Sequence, residues 1–217
     1  MRERKEALVY SFINLKNRGA EKVQGIIERK QKFEFNVFQG EISLLRTKED
    51  ITLDLRAIKD SKQGTLKINS LDKKCINDTC TEIIALCESG VKDESIDIAP
   101  YQNKQAVIYG DEKPNLDKMY GLFEEFLSLV TKKYPYLVLG ECILQFDRVE
   151  ELVMNTNGVE LSSIKGLYEI NICFNSKNNG KTSSHKYIGM SMKDLENGMF
   201  NFSKFERLLK QSEKETI

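Results

Sequence analysis

The chain contains a single histidine, His185, and this scarcity limits the chemistry available to it. A His-Glu-x-x-His zinc helix needs two histidines one turn apart. The five cysteines form no Cys-x-x-Cys pair, and the sequence has no Gly-x-Gly-x-x-Gly motif, phosphate loop or Gly-x-Ser-x-Gly elbow. We therefore predict no catalytic residue, no cofactor-binding residue and no metal ligand within this chain.

The chain also lacks a charge excess and a long apolar run. Lys and Arg together number 33, as do Asp and Glu, whereas nucleic-acid binding usually leaves a basic excess that neutralises phosphates. No apolar stretch approaches the roughly 20 residues that span a bilayer. The mostly charged residues 1–7 are unlike the start of a secretory signal. These absences predict a cytoplasmic protein without a nucleic-acid or membrane partner.

The cysteines are expected to be reduced thiols, because their number is odd and no secretory signal precedes them. They are Cys75, Cys80, Cys87, Cys142 and Cys173. Cys80 and Cys87 lie seven residues apart in an apolar helical pattern, so both can face the core as small hydrophobic residues. Cys173 is expected to be buried in a strand. His185 follows an Asn-Asn-Gly turn in a polar stretch, which predicts an exposed hairpin position.

Only 3 prolines and 13 glycines interrupt the chain, which argues against a long linker. Apolar residues at helical spacing predict four helices, over residues 5–18, 79–89, 115–133 and 200–213. Val9 and Ile13 are expected on the apolar side of the first helix, which Gly19 should end. Asn77 or Asp78 is the expected cap of the second helix.

Between the helices, apolar and polar residues alternate with the period of a strand, most clearly at 33–37, 51–55 and 168–172. Further strand segments are predicted at 106–109, 137–146 and 149–154. Turns are predicted at 39–40, at 155–158 and at 178–180, where asparagine and glycine tolerate positive φ. Strands grouped between helices favour an α+β fold, with antiparallel strand meanders flanked by helices, over a doubly wound parallel sheet. The helix–sheet–helix order occurs twice, which allows two similar halves.

Two stretches of the sequence contain short motifs whose order and spacing resemble those of a known family. The first begins with Ala20-Glu21, continues through Phe-Glu-Phe-Asn-Val-Phe-Gln-Gly-Glu-Ile-Ser at 33–43, and leads to Arg56 and Gly64 before a helix. The second is Glu-Leu-Val-Met-Asn-Thr-Asn-Gly-Val-Glu at 151–160, followed by a strand through 170–174. In order and spacing they resemble the N-terminal domain of the TldD/PmbA metalloprotease family, over roughly residues 5–210. The sequence departs from the family at Thr156, where the family has serine, and at 62–68, where the family has a glycine-rich aromatic segment.

The resemblance implies one N-terminal-type domain over residues 1–217, with a subdivision near residues 95–113. It implies no cofactor in this chain, because the family's zinc is held by a His-Glu-x-x-x-His helix beyond this domain. Zinc is therefore expected in a TldD-type partner or in a C-terminal domain. PmbA-like members lack the motif and pair with TldD-like subunits in peptide maturation, and the family also carries the label modulator of DNA gyrase. The chain would be a piece of a longer protein, a split subunit or a shortened family member.

Three functional hypotheses follow from these observations. The first is a non-catalytic module that contributes to a peptide groove or to subunit contacts in a proteolytic complex. Its partner would be a TldD-like metalloprotease subunit, a second copy of the chain or a peptide, and an exposed sheet edge would be its physical basis. The second is a stand-alone interaction protein on the same fold, without a protease partner. The third is a self-sufficient hydrolase that uses His185 or a cysteine; cysteine burial and histidine exposure argue against it.

Overall fold

A computed structural model describes residues 2–38, 41–195 and 202–217 of the chain. The helices are α1 (Arg2–Asn17), α2 (Lys73–Ser89), α3 (Leu116–Lys133) and α4 (Phe202–Lys214). The strands are β1 (Lys22–Phe38), β2 (Glu41–Lys59), β3 (Lys62–Ile68), β4 (Gln105–Tyr109), β5 (Leu137–Asn155), β6 (Glu160–Asn178), β7 (Lys181–Thr182) and β8 (Lys186–Met192). The predicted turn at Gln39-Gly40 lies outside the described residues.

The strands form one sheet in the order β3-β2-β1-β5-β6-β4, and β7 and β8 also pair with β6. The pairings of β2 with β3, of β6 with β7 and of β6 with β8 are antiparallel. The predicted α+β class with antiparallel strands is thus confirmed. None of the helices in the described ranges is both long and apolar enough to cross a bilayer.

The chain divides into two compact units, and each has its own core. The first unit comprises residues 1–30, 49–108 and 149–164, and the second comprises 31–48, 109–148 and 165–217. In the first, α1 and α2 supply Leu8, Leu15, Ile76 and Ile83 to a core shared with strand residues such as Leu53. The second core is rich in aromatic residues, including Phe123, Phe126, Phe146, Tyr168, Phe174 and Phe205. The boundary between the units passes through β1, β2, β5 and β6, and the units therefore do not correspond to the first and second halves of the sequence.

Helix α1 ends as predicted. Gly19 adopts a φ of +94°, and the N–H of Ala20 donates to the carbonyl of Leu15 at 3.1 Å. This backbone reversal is the usual reason for glycine after a helix. The interpretation of Val9 and Ile13 was wrong, since these side chains are 40% and 54% exposed. They share a face four residues apart, and that face lines a surface groove instead of the core.

Helix α2 begins six residues earlier than predicted, and its cap is neither Asn77 nor Asp78. The carboxylate of Asp72 accepts hydrogen bonds from the N–H groups of Lys74 at 2.9 Å and Cys75 at 3.2 Å. This side chain satisfies two of the donors that a helix start leaves unpaired. Ile76 in the first turn already belongs to the buried stripe with Cys80 and Ile83, so the prediction missed the first turn of the apolar repeat.

The hairpin at 178–180 is confirmed. Asn179 and Gly180 adopt positive φ values of 47° and 80° and join β6 to β7. Behind the turn, the Ser212 hydroxyl of α4 lies within hydrogen-bond distance of Ser176 and Ser183, at 2.9 and 2.8 Å. All three serines are buried, so this hydroxyl group fixes α4 to the hairpin.

Candidate functional site

Strand β4 forms one end of the strand order, which leaves one of its sides at the edge of the sheet. Residues 105–108, which we call the β4 edge, are Gln-Ala-Val-Ile, and all four are exposed. Val107 is 56% and Ile108 57% exposed. Natural edge strands are usually protected by lysine, proline, a bulge or a covering element. The β4 edge contains no charge and no proline, so it can accept a further strand.

The segment before the β4 edge is held by polar contacts within the first unit. The amide groups of Asn155 and Asn157 donate to the Ala99 carbonyl at 2.8 and 3.0 Å. The Lys22 ammonium pairs with Asp97 at 2.6 Å. This hydrogen bond lowers the pKa of Asp97. These contacts fix the route of the chain into β4, although residues 90–104 are not in a helix or strand.

At the start of β6, the Glu160 carboxylate accepts hydrogen bonds from Lys104 and Lys5. The hydrogen bond from Lys104, followed by the one from Lys5, lowers the pKa of Glu160. Lys104 directly precedes the β4 edge, and this contact therefore attaches the edge to β6. The turn predicted at 155–158 contains Asn155 and Asn157, which bind the Ala99 carbonyl. This turn therefore lies beside the segment that leads to the β4 edge.

Three side chains that can take part in proton or thiol chemistry, Cys173, His185 and Tyr187, lie close together in the second unit. The Sγ atom of Cys173 on β6 lies 3.8 Å from Nδ1 of His185, within reach of a weak hydrogen bond. Tyr187 lies opposite Cys173 in the β6–β8 pairing. A hydrogen bond with Cys173 raises the pKa of Tyr187. His185 is exposed, as predicted, whereas Cys173 is partly buried and not part of the core. The sequence did not predict this cluster, because the register of β8 against β6 determines which side chains lie beside Cys173.

The first unit also contains a buried ionic network. The guanidinium group of Arg4 on α1 pairs with the Glu150 carboxylate on β5, and both side chains are 8% exposed. Arg29 makes a two-point contact with Glu49 at 2.8 and 2.9 Å and lies 3.8 Å from Glu150. Burial, followed by the charge of Arg29, lowers the pKa of Arg4. Buried charges are tolerated when they are paired in this way, so the pairing itself accounts for the burial of Arg4 and Glu150.

No group of three or more His, Cys, Asp or Glu side chains within residues 2–38, 41–195 and 202–217 has a spacing suited to a metal ion. Catalytic zinc sites use three protein ligands. The absence of catalytic, cofactor-binding and metal-binding residues remains a prediction that solution measurements must test.

The residues that carry the family resemblance build turns and close contacts. The Glu21 N–H donates to the Ile58 carbonyl at 2.8 Å, next to buried Ala20. A Cβ atom at Gly64 would lie 2.3 Å from the Ile83 carbonyl oxygen of α2. Gly158 has a φ of +89°. These positions specify backbone geometry, which explains why the motifs predict a fold and not a reaction.

Solved structures with the same fold confirm the predicted resemblance to TldD/PmbA-type proteins at the level of the fold. The chain is similar to TldE from Thermococcus kodakarensis, with 15% identity and a TM-score of 0.71. It is also similar to two proteins described as candidate modulators of DNA gyrase. The one from Bacteroides thetaiotaomicron is 14% identical with a TM-score of 0.75, and the one from Thermotoga maritima is 13% identical with a TM-score of 0.67.

Each of these similarities covers 97% of the chain but 46% of TldE and 50% and 47% of the other two proteins. The chain thus spans about half the length of these structures. No protein-family model matches the sequence. No curated protein sequence matches it either.

Proposed function

We propose that the chain is a non-catalytic module of a TldD/PmbA-type proteolytic assembly, and that its β4 edge accepts an extended segment from a peptide or from a metalloprotease subunit. The observation that carries the proposal is the uncharged strand at the end of the sheet, in which every residue is exposed. An added strand gains main-chain hydrogen bonds from such an edge, while the exposed side chains supply selectivity. Val107 and Ile108 point to opposite faces, so a partner can contact apolar groups on both.

The Val107→Lys/Ile108→Lys double variant should capture at least tenfold less partner than the parent chain. The expected partner is a subunit with a His-Glu-x-x-x-His motif, captured from the source cells and identified by mass spectrometry. Lysine at an edge opposes strand pairing, and both positions are exposed, so folding should be preserved. Val91→Lys is the matched control, because Val91 is 90% exposed and lies outside any strand.

Three outcomes separate the alternatives. Equal capture by the parent and the double variant would reject the β4 edge as the contact. Edge-dependent capture of partners that lack the metalloprotease motif would favour a stand-alone interaction protein. Loss of capture with the double variant, but not with Val91→Lys, supports the proposed module.

The isolated chain is expected to hold far less than one zinc ion per molecule and to cleave no peptide. The physical reason is the lack of three suitably placed donors in the part of the chain that the structure describes. Metal analysis after dialysis, together with a peptide-cleavage assay with and without added zinc, checks this expectation. One tightly held zinc ion per chain would contradict it.

A further inference from the structure

Cys173, a partly buried residue of the second unit, lies beside the exposed His185. Cys173 lies on β6, next to Tyr187 on β8 and Gly140 on β5. A Cβ atom at position 140 would lie 3.7 Å from the Cys173 sulfur. Because glycine has no side chain, no Cβ atom at position 140 occupies this side of the sulfur. On another side, the sulfur faces Nδ1 of His185 at 3.8 Å.

The other cysteines have different environments. Cys80, Cys87 and Cys142 are fully buried, and burial raises the pKa of each of these thiols, to about 11 for Cys80. A reagent therefore reaches them only when the chain opens. Cys75 is partly buried in the first turn of α2. Since His185 is the only histidine in the sequence, no cysteine besides Cys173 has an imidazole beside it.

We propose that Cys173 is a site of reversible thiolation, in which it exchanges with a low-molecular-weight disulfide and His185 acts as the base. The Cys173 thiol transfers its proton to Nδ1 of His185, and the resulting thiolate attacks one sulfur of the disulfide. A new bond forms between Sγ and that sulfur, and the sulfur–sulfur bond of the reagent breaks. The Cys173 sulfur is oxidised, and the departing thiolate is reduced and takes the proton from His185. Excess small thiol reverses the reaction.

A base beside the thiol matters because the thiolate is the nucleophile in disulfide exchange. An unassisted cysteine is only a few per cent ionised at neutral pH. Removal of the base should therefore cost about threefold in rate, because proton transfer to the base raises the thiolate fraction while the lower nucleophilicity of a more acidic thiol offsets much of that gain. Tyr187, which forms a hydrogen bond with Cys173, is 73% exposed, so a small reagent can approach this pair from solvent.

The test uses 2-hydroxyethyl disulfide as the probe and follows thiolation at each cysteine by peptide mass mapping. In the unmodified chain, Cys173 should react about threefold faster than Cys75. In His185→Ala, the Cys173 rate should fall about threefold while the Cys75 rate stays the same, so that Cys75 serves as an internal reference. Thr182→Ala changes another exposed residue between β6 and β8. This variant should leave the rates at Cys173 and Cys75 unchanged.

Equal Cys173 rates in the parent and in His185→Ala would overturn the proposal, as would faster reaction at Cys75. A parallel loss of rate at both cysteines would also overturn it, because it would reflect a general change in the chain. His185 is exposed, and thermal unfolding should show the same midpoint for the parent and for His185→Ala.

Discussion

Gly166→Ala should lower the free energy of unfolding by about 3 kcal/mol or more. An alanine Cβ at this position would lie 1.7 Å from the Asp111 carbonyl oxygen and 2.7 Å from Cζ of Phe146. Neither neighbour can move easily. Phe146 is fully buried, and the Tyr168 hydroxyl donates to the Asp111 carboxylate at 2.8 Å. Urea unfolding followed by circular dichroism would measure the loss.

Gly121→Ala is the matched control, since it makes the same change in the unfolded chain. Gly121 lies within α3, and a Cβ there would meet no atom within 4 Å. Alanine at a helix interior should raise the stability by about 0.5–1 kcal/mol. If Gly166→Ala were as stable as the parent, the close approach of β6 to the backbone at Asp111 would be disproved.

The contact between Gly166 and the backbone of Asp111 could not be predicted from the sequence. Gly110, next to Asp111, adopts a φ of +73°, a conformation that favours glycine and is typical of a turn. Its partner across the fold, Gly166, carries no local signal. Hydrophobic periodicity predicts which side of a helix or strand is apolar. It cannot predict a backbone contact between Gly166 and Asp111, which lie 55 positions apart in the sequence.

Strand continuity was also underpredicted. Residues 137–146 and 149–154 were read as separate segments, yet β5 runs unbroken from Leu137 to Asn155. The polar residues at the apparent gap are paired across the second unit. The Arg148 guanidinium donates to the Glu112 carbonyl at 2.7 Å, and Gln145 donates to Asp147 at 2.6 Å. Paired polar side chains interrupt the hydrophobic pattern without ending the strand.

The thiol–imidazole cluster depends on a one-residue change of register. Near the turn, Lys177 pairs with Thr182, and Asn178 with Lys181. Continuing that register would place Lys186 opposite Cys173, whereas Tyr187 lies there. A shift of one residue reverses which face each side chain occupies. The turn residues predicted the hairpin. They did not predict the one extra residue between the β7 and β8 pairings that shifts the register.

Glu150→Gln should destabilise the chain by about 3–5 kcal/mol, because it leaves the Arg4 charge buried without its counter-charge. The side chain keeps its size, so the effect is electrostatic and not one of packing. Both partners are 8% exposed, and Arg29 still contacts Glu49 in the variant. Urea unfolding of the parent and the variant at equal salt concentration gives the difference.

Two comparison variants show whether burial causes this loss. Glu6→Gln removes the carboxylate of the exposed Arg2–Glu6 pair, whose side chains are 94% and 65% exposed, and should cost less than about 0.5 kcal/mol. Arg4→Met combined with Glu150→Leu removes both buried charges and should lie within about 2 kcal/mol of the parent. The double variant should therefore be more stable than Glu150→Gln alone. If Glu150→Gln were as mild as Glu6→Gln, the Arg4–Glu150 pair would have to be solvated, and α1 could not be held against β5 by a buried charge.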